Sequence, residues 1–166
     1  MWGVVAMEVV IYQTVKEFLQ ENEHQLLERE AVSQLLLINA MSNQLEETSD
    51  ILLFGKVIDK NISILLFCNV SPYNLVIYDT CRENSDEAII VLADYITENK
   101  IPIKGLNANK HICDEFIYRS KCKFKEHLAM DIMELRKLSE VELTKGESLK
   151  ATKLEIKQIA RWIVDF

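Results

Sequence analysis

The chain reads as a mixed helix-and-strand domain of the α/β (α+β) class, and three features of the sequence predict it. Apolar residues recur at helical spacing between Val15 and Asn43. From Ile51 the pattern turns to short runs of branched and aromatic residues divided by turn formers. Helical spacing returns after Asn84. With 166 residues there is room for one domain and a substantial core.

The elements follow in order. Val9, Val10 and Ile11 are β-branched and precede Thr14, which suits a short strand ending at a helix cap. The spacing predicts a helix over Val15–Asn22 and a second over His24–Asn43, where Leu26, Leu27, Leu35–Ile38 and Met41 supply the apolar positions. Glu46–Asp50 is a polar loop. Ile51–Ile58 and Ile62–Val70 read as two strands of a hairpin turned at Asp59-Lys60-Asn61, and Leu75–Tyr78 as a third after the break at Ser71–Asn74. Asn84 or Ser85 caps a helix to about Asn99, with Asp86 and Glu87 in its first turn, where the helix dipole favours them. Ile101–Gly105 is expected as a short strand, Asn107 or Asn109 as the cap of a helix to Ser120, and Phe124–Leu138 as an extended strand. Val141–Gly146 then reads as a linker, Leu149–Thr152 as a strand, and Lys153–Phe166 as a helix with Ile156, Ile159, Ala160 and Ile163 on one apolar face.

Composition excludes several functions. Hydrophobic residues make up 49% and charged ones 27%, far from a disordered composition. Net charge is −7, and the tightest basic group, Lys121, Lys123 and Lys125 beside Arg119, alternates as a solvated strand face does. No nucleic-acid partner is expected. No run approaches the ~18 apolar residues of a membrane span. Met1–Ala6 lacks the basic start of a secretory signal, so a cytoplasmic protein is expected. The cysteines Cys68, Cys81, Cys113 and Cys122 form no CxxC pair and no metal-ligand spacing with the histidines. A metal site is not expected, nor a disulfide framework. Cys68, inside an apolar run, reads as a small buried hydrophobe.

The order strand, helix, helix, three antiparallel strands, helix, strand, helix, strand resembles the GNAT acyltransferase fold over about residues 8 to 138. The nearest likeness is to bacterial proteins built from two such domains in tandem. Leu26-Leu27-Glu28-Arg29-Glu30-Ala31 and Ser71-Pro72-Tyr73-Asn74-Leu75-Val76-Ile77 are similar to phrases of the N-terminal half. Leu149-Lys150-Ala151-Thr152 and Ile159–Phe166 are similar to the opening of the catalytic half. The resemblance implies a mostly antiparallel mixed sheet with helices on both faces. It divides the chain into an extension at 1–7, a GNAT-like domain at 8–140, a linker at 141–148 and the start of a second domain at 149–166. It also implies acetyl-CoA as donor and an amine as acceptor in the full-length protein.

The family's donor loop has the form Q/R-x-x-G-x-G/A between the fourth strand and the third helix. Its backbone N–H groups face a pyrophosphate, and glycine lets the chain approach closely. The matching stretch here is Asp79-Thr80-Cys81-Arg82-Glu83-Asn84-Ser85-Asp86, which has no glycine. The chain's four glycines are Gly3, Gly55, Gly105 and Gly146. Thr80, Arg82, Asn84 and Ser85 are therefore a degenerate donor set, and tight acetyl-CoA binding is not expected of this chain. The family's acid, often a tyrosine, would correspond to Tyr118, although a half-buried core tyrosine is the commoner use of such a residue. His127 and Asp131 share one side of the predicted strand and could act as an acid/base pair, against the plainer reading of a solvated sheet face. His24 and His111 stand as lone residues. The expected role is the non-catalytic N-terminal half of a tandem acetyltransferase, its partner a second GNAT domain packed on Lys153–Phe166. The alternatives are a free-standing homodimeric module without catalysis, joined through that helix, and a small acyltransferase with an unusual donor turn.

Overall fold

The computed structural model describes residues 7–45, 52–80, 84–123, 125, 128–135, 137, 146 and 150–165. Its contacts divide the chain into two compact units, Met1–Glu134 and Leu135–Phe166.

The first unit is a mixed α+β layer structure. In chain order it holds β1 (Glu8–Ile11), α1 (Val15–Leu27), α2 (Glu30–Leu45), β2 (Leu52–Asp59), β3 (Ile62–Val70), β4 (Leu75–Asp79), α3 (Ser85–Glu98), β5 (Leu106–Asn107) and α4 (Lys110–Ser120). The strands form one sheet in the order β1-β2-β3-β4-β5. All neighbours are antiparallel except β4 and β5, which run parallel and pair only at Leu75–Leu106 and Val76–Asn107. The hairpin turns where its sequence requires: Lys60 and Asn61 both have positive φ, which a two-residue turn between twisted strands needs.

Helices cover both faces of the sheet, and the strand residues alternate between two cores accordingly. Leu66, Cys68 and Val70 of β3 and Val76 and Tyr78 of β4 face α1 and α2, against Phe18, Leu26 and Leu36. Leu65, Phe67, Leu75 and Ile77 face α3 and α4, against Ile89, Leu92, Ile112 and Phe116. Each large side chain so buried contributes about 1.5–3 kcal/mol. Gly55 permits the edge strand to close: a Cβ there would lie 2.5 Å from Phe67 Cζ and 2.8 Å from the Val10 carbonyl oxygen.

Thr14 begins α1 with a capping box, accepting from the Glu17 N–H at 3.1 Å while its own N–H donates to Glu17 Oε2 at 3.3 Å. This helix runs on to Leu27, not to Asn22, because Phe18, Leu19, Asn22 and Leu26 form one continuous buried face. The break falls at Glu28-Arg29, so α2 begins at Glu30 and not at His24. The Ser33 hydroxyl donates to the Leu26 carbonyl at 2.6 Å and ties the two helices together.

The expected strand Ile101–Gly105 is displaced by a few residues. Pro102 has no N–H to give a ladder; the pairing starts with the Leu75 N–H donating to the Gly105 carbonyl at 3.0 Å and continues through Leu106 and Asn107. The expected strand over Phe124–Leu138 is not formed by Lys125, Leu128–Leu135 or Lys137, which lie in irregular, exposed chain. None of the described strands pairs with these residues, and an alternating pattern alone makes no strand. Phe124 and Leu138 lie outside the described residues.

In the second unit α5 spans Ile156–Asp165. Lys150, Ala151 and Thr152, expected in a strand, instead lead into this helix. The Thr152 N–H and hydroxyl both donate to Glu155 Oε2 at 2.6 Å, and the Leu154 N–H donates to Thr152 Oγ1 at 3.3 Å. Ile156, Trp162, Ile163 and Val164 of α5 are exposed. No described helix is long and apolar enough to cross a membrane.

Candidate functional site

The corner between β4 and α3 occupies the place where the sequence puts a donor turn. Thr80 leaves the strand with both polar groups turned back into the sheet. Its N–H donates to the Ile64 carbonyl at 3.0 Å, and its hydroxyl bonds to the Ile64 carbonyl at 2.9 Å and to that of Ser63. The hydroxyl is thus used as a strand anchor. Cys81, Arg82 and Glu83 lie outside the described residues.

Asn84 stands at the N-cap of α3 in the left-handed region, φ 63°, a conformation asparagine tolerates better than most residues. Its side chain makes no capping bond, and its carbonyl accepts from the Ala88 N–H at 3.2 Å. Ser85 is buried, and its hydroxyl lies 3.1 Å from each oxygen of the Asp79 carboxylate, to which it donates. Asp86 Oδ1 is 2.6 Å from His111 Nε2 on α4. The hydrogen bond to the Asp86 carboxylate outweighs desolvation and holds His111 above the ordinary imidazole value. His111 therefore has a partner that its place in the sequence does not show.

Asp79 and Ser85 join β4 to the start of α3, and Asp86 and Glu87 sit in the helix's first turn. The positive end of the helix dipole is thus met by the chain's own carboxylates. An anion brought there would meet like charge, and a side chain at every described position of the corner keeps ligand atoms off the backbone. The described residues of the corner, Asp79, Thr80 and Asn84–Glu87, are a poor fit to a pyrophosphate.

Tyr118 is 83% exposed and belongs to no core. Ile112 and Phe116 form the buried side of α4, and Tyr118, two residues past Phe116, is turned to the opposite side. The half-buried environment expected for it is absent. His127 lies outside the described residues, and Asp131 is exposed in irregular chain. His24 pairs at 3.4 Å with Glu28, the residue that follows the end of α1. Burial pushes the Cys68 thiol up to about 12, with Asn39 Nδ2 donating to its sulfur at 3.6 Å, which is how a buried structural cysteine behaves. Among the described residues no group of three or more His, Cys, Asp or Glu side chains is placed to hold a metal ion.

A second polar group lies under α1. Lys56, in the middle of β2, is only 8% exposed and forms an ion pair with Glu21 of α1. The Tyr12 hydroxyl donates to Glu21 Oε2 at 2.7 Å and accepts from Asn22 Nδ2 at 2.9 Å. Burial works against the Lys56 charge, but its bonds to Glu21 and Tyr12 outweigh this and hold its pKa above the ordinary lysine value. The same bonds, that from Lys56 first, hold the Glu21 carboxyl below its usual range. The ammonium also stands 5.7 Å from the centre of the Tyr12 ring, within cation–π range. An open cleft of about 480 Å³ borders the group, lined by Tyr12, Glu17, Gln20 and Glu21. Every member of this cluster has a partner inside it, which marks it as a structural clamp between α1 and the sheet. The one signal in the sequence is a lysine within the apolar run Leu52–Ile58.

No protein-family model, no curated protein and no solved structure matches the chain.

Proposed function

We propose that this chain is the non-catalytic N-terminal half of a GNAT-type N-acetyltransferase, a scaffold that packs against a catalytic GNAT domain and shapes its amine-acceptor pocket. The described order of strands and helices from β1 to α4, with a parallel β4–β5 pair at one end of an otherwise antiparallel sheet, is compatible with the resemblance, although the strand expected after α4 is not formed by the described residues. The observation that carries the reading is the β4–α3 corner. There Thr80 is tied to β3, Ser85 to Asp79 and Asp86 to His111, so the polar groups that would serve a donor serve the fold. The apolar residues of α5 give the catalytic domain a face to pack on.

A calorimetric titration of acetyl-CoA into the purified chain tests the reading. No heat of binding at millimolar ligand is expected. Binding at about micromolar Kd, or acetyl transfer to amines by this chain alone, overturns it.

A further inference from the structure

The outer face of α2 is uncommon for a helix on a domain surface. From Ala31 to Leu45 the sequence has no charged residue, in a chain where 27% of residues are charged. Leu36, Leu37 and Ala40 supply the face buried on the sheet, yet Val32, Leu35, Ile38 and Met41 are exposed, Leu35 at 48% and Ile38 at 56%. A surface helix ordinarily carries charge opposite its buried stripe. This one is apolar on both sides.

The residues of the outer face, exposed except for the half-buried Ala31, also have an order. Ala31, Leu35, Ile38 and Ser42 are spaced four, three and four apart, the spacing of a helix-packing seam. The seam reads nearly the same in both directions. Placed antiparallel on a second copy of itself, with the axis between Leu36 and Leu37, it sets Ala31 against Ser42, both small, and Leu35 against Ile38, both large. On its flanks Val32 meets Asn39, and Gln34 meets Met41. A two-fold interface requires this self-complementarity, because the same patch serves both partners.

Charge points the same way. Two copies of a chain of net charge −7 repel, and a contact to which neither brings a charge keeps that repulsion low. The antiparallel register places Glu30 against Asn43, so no like charges face each other. An oppositely charged partner would find nothing on this face to recognise.

We infer that the outer face of α2 is a homodimer seam in which two copies pack antiparallel about a two-fold axis, Leu35 of each on Ile38 of the other. The inference stands apart from the donor-site reading. A 16-residue helix is about 24 Å long, so the seam suits a small interface and a reversible dimer.

Sedimentation of the intact chain over a wide concentration range tests it, with circular dichroism confirming that each variant is folded. A monomer–dimer equilibrium is expected. Leu35→Lys and Ile38→Glu should each weaken the dimer about tenfold or more. An equimolar mixture of the two variants should recover it, because the antiparallel register sets the new lysine of one chain beside the new glutamate of the other. Ile163→Glu on α5 should leave the dimer unchanged. A monomer at every concentration overturns the inference. So does a dimer indifferent to both α2 substitutions, one lost on Ile163→Glu, or variants that fail to recover on mixing.

Discussion

The two faces of the sheet handle charge in opposite ways. Beneath α1 and α2 the chain buries Lys56 and Asn22 and satisfies them with Glu21, Tyr12 and the Phe18 carbonyl, which accepts from Asn22 Nδ2 at 2.8 Å. Beneath α3 and α4 the described buried residues include no charged one; the polar ones are Asn69, whose Nδ2 donates to the Pro102 carbonyl at 3.0 Å, and Ser85, bonded to Asp79. The ion pairs of that side, Arg119 with Asp94, His111 with Asp86 and Lys110 with Asp114, lie on the exposed surfaces of the helices. The contrast teaches where a charge carries structural weight. A charge taken out of water must keep its partner, whereas one left in water can lose it at little cost.

The largest test of the contrast is aromatic. Phe116→Ala and Phe18→Ala each remove a fully buried ring and should cost about 3–5 kcal/mol in denaturant unfolding. Phe18 also meets Tyr12 edge-on at 5.4 Å and Phe54 at 5.1 Å. Its loss should therefore be the greater by about 1 kcal/mol. Equal losses would mean that the ring contacts do not hold Tyr12 over the lysine.

The clamp comes next. Glu21→Ala leaves Lys56 buried without its carboxylate and should cost about 2 kcal/mol. Lys56→Met removes the charge with its desolvation and should be close to neutral. If the two variants lose stability equally, the pair is an ordinary surface contact and the contrast between the faces fails.

On the other face Arg119→Ala should produce only a small fall in Tm, and added salt should abolish it. A large, salt-independent fall would show that this pair supports the fold as the buried one does.

The smallest effect is the pH response of His111. Asp86 raises its pKa, so the pair contributes fully below the unfolded value of about 6.5 and is lost as pH rises through the folded value. The difference in Tm between the wild-type chain and Asp86→Asn should be greatest in acid and vanish in mild alkali. A difference that grows with pH would contradict the assignment.

Much of the fold is legible in the residues because its causes are local. Asn109 caps α4 by accepting from the Ile112 N–H at 2.9 Å, three residues on, and the β2–β3 turn needs only Lys60 and Asn61. Strand pairing is less local, and there the reading slips. Alternation at 101–105 and 124–138 looks like strand, but a strand needs an edge to pair with, and the edge accepts Leu106 and Asn107. The site residues divide in the same way. The lack of glycine in the β4–α3 corner is plain from the residues themselves. That Thr80 turns inward, that Tyr118 turns outward and that His111 has a partner on α3 are not.

The sequence by itself determined the order of the elements from β1 to α4, the hairpin, the caps at Thr14 and Asn109, the glycine-free corner and the charge-free run along α2. These follow from hydrogen bonds and apolar spacing that act over a few residues. Only the tertiary structure decided that Lys56 pairs with Glu21 across 35 positions and His111 with Asp86 across 25. It also decided which side of α2 is left open. Burial sets the cost of a charge or an exposed leucine, and burial exists only once elements distant in the chain have packed together.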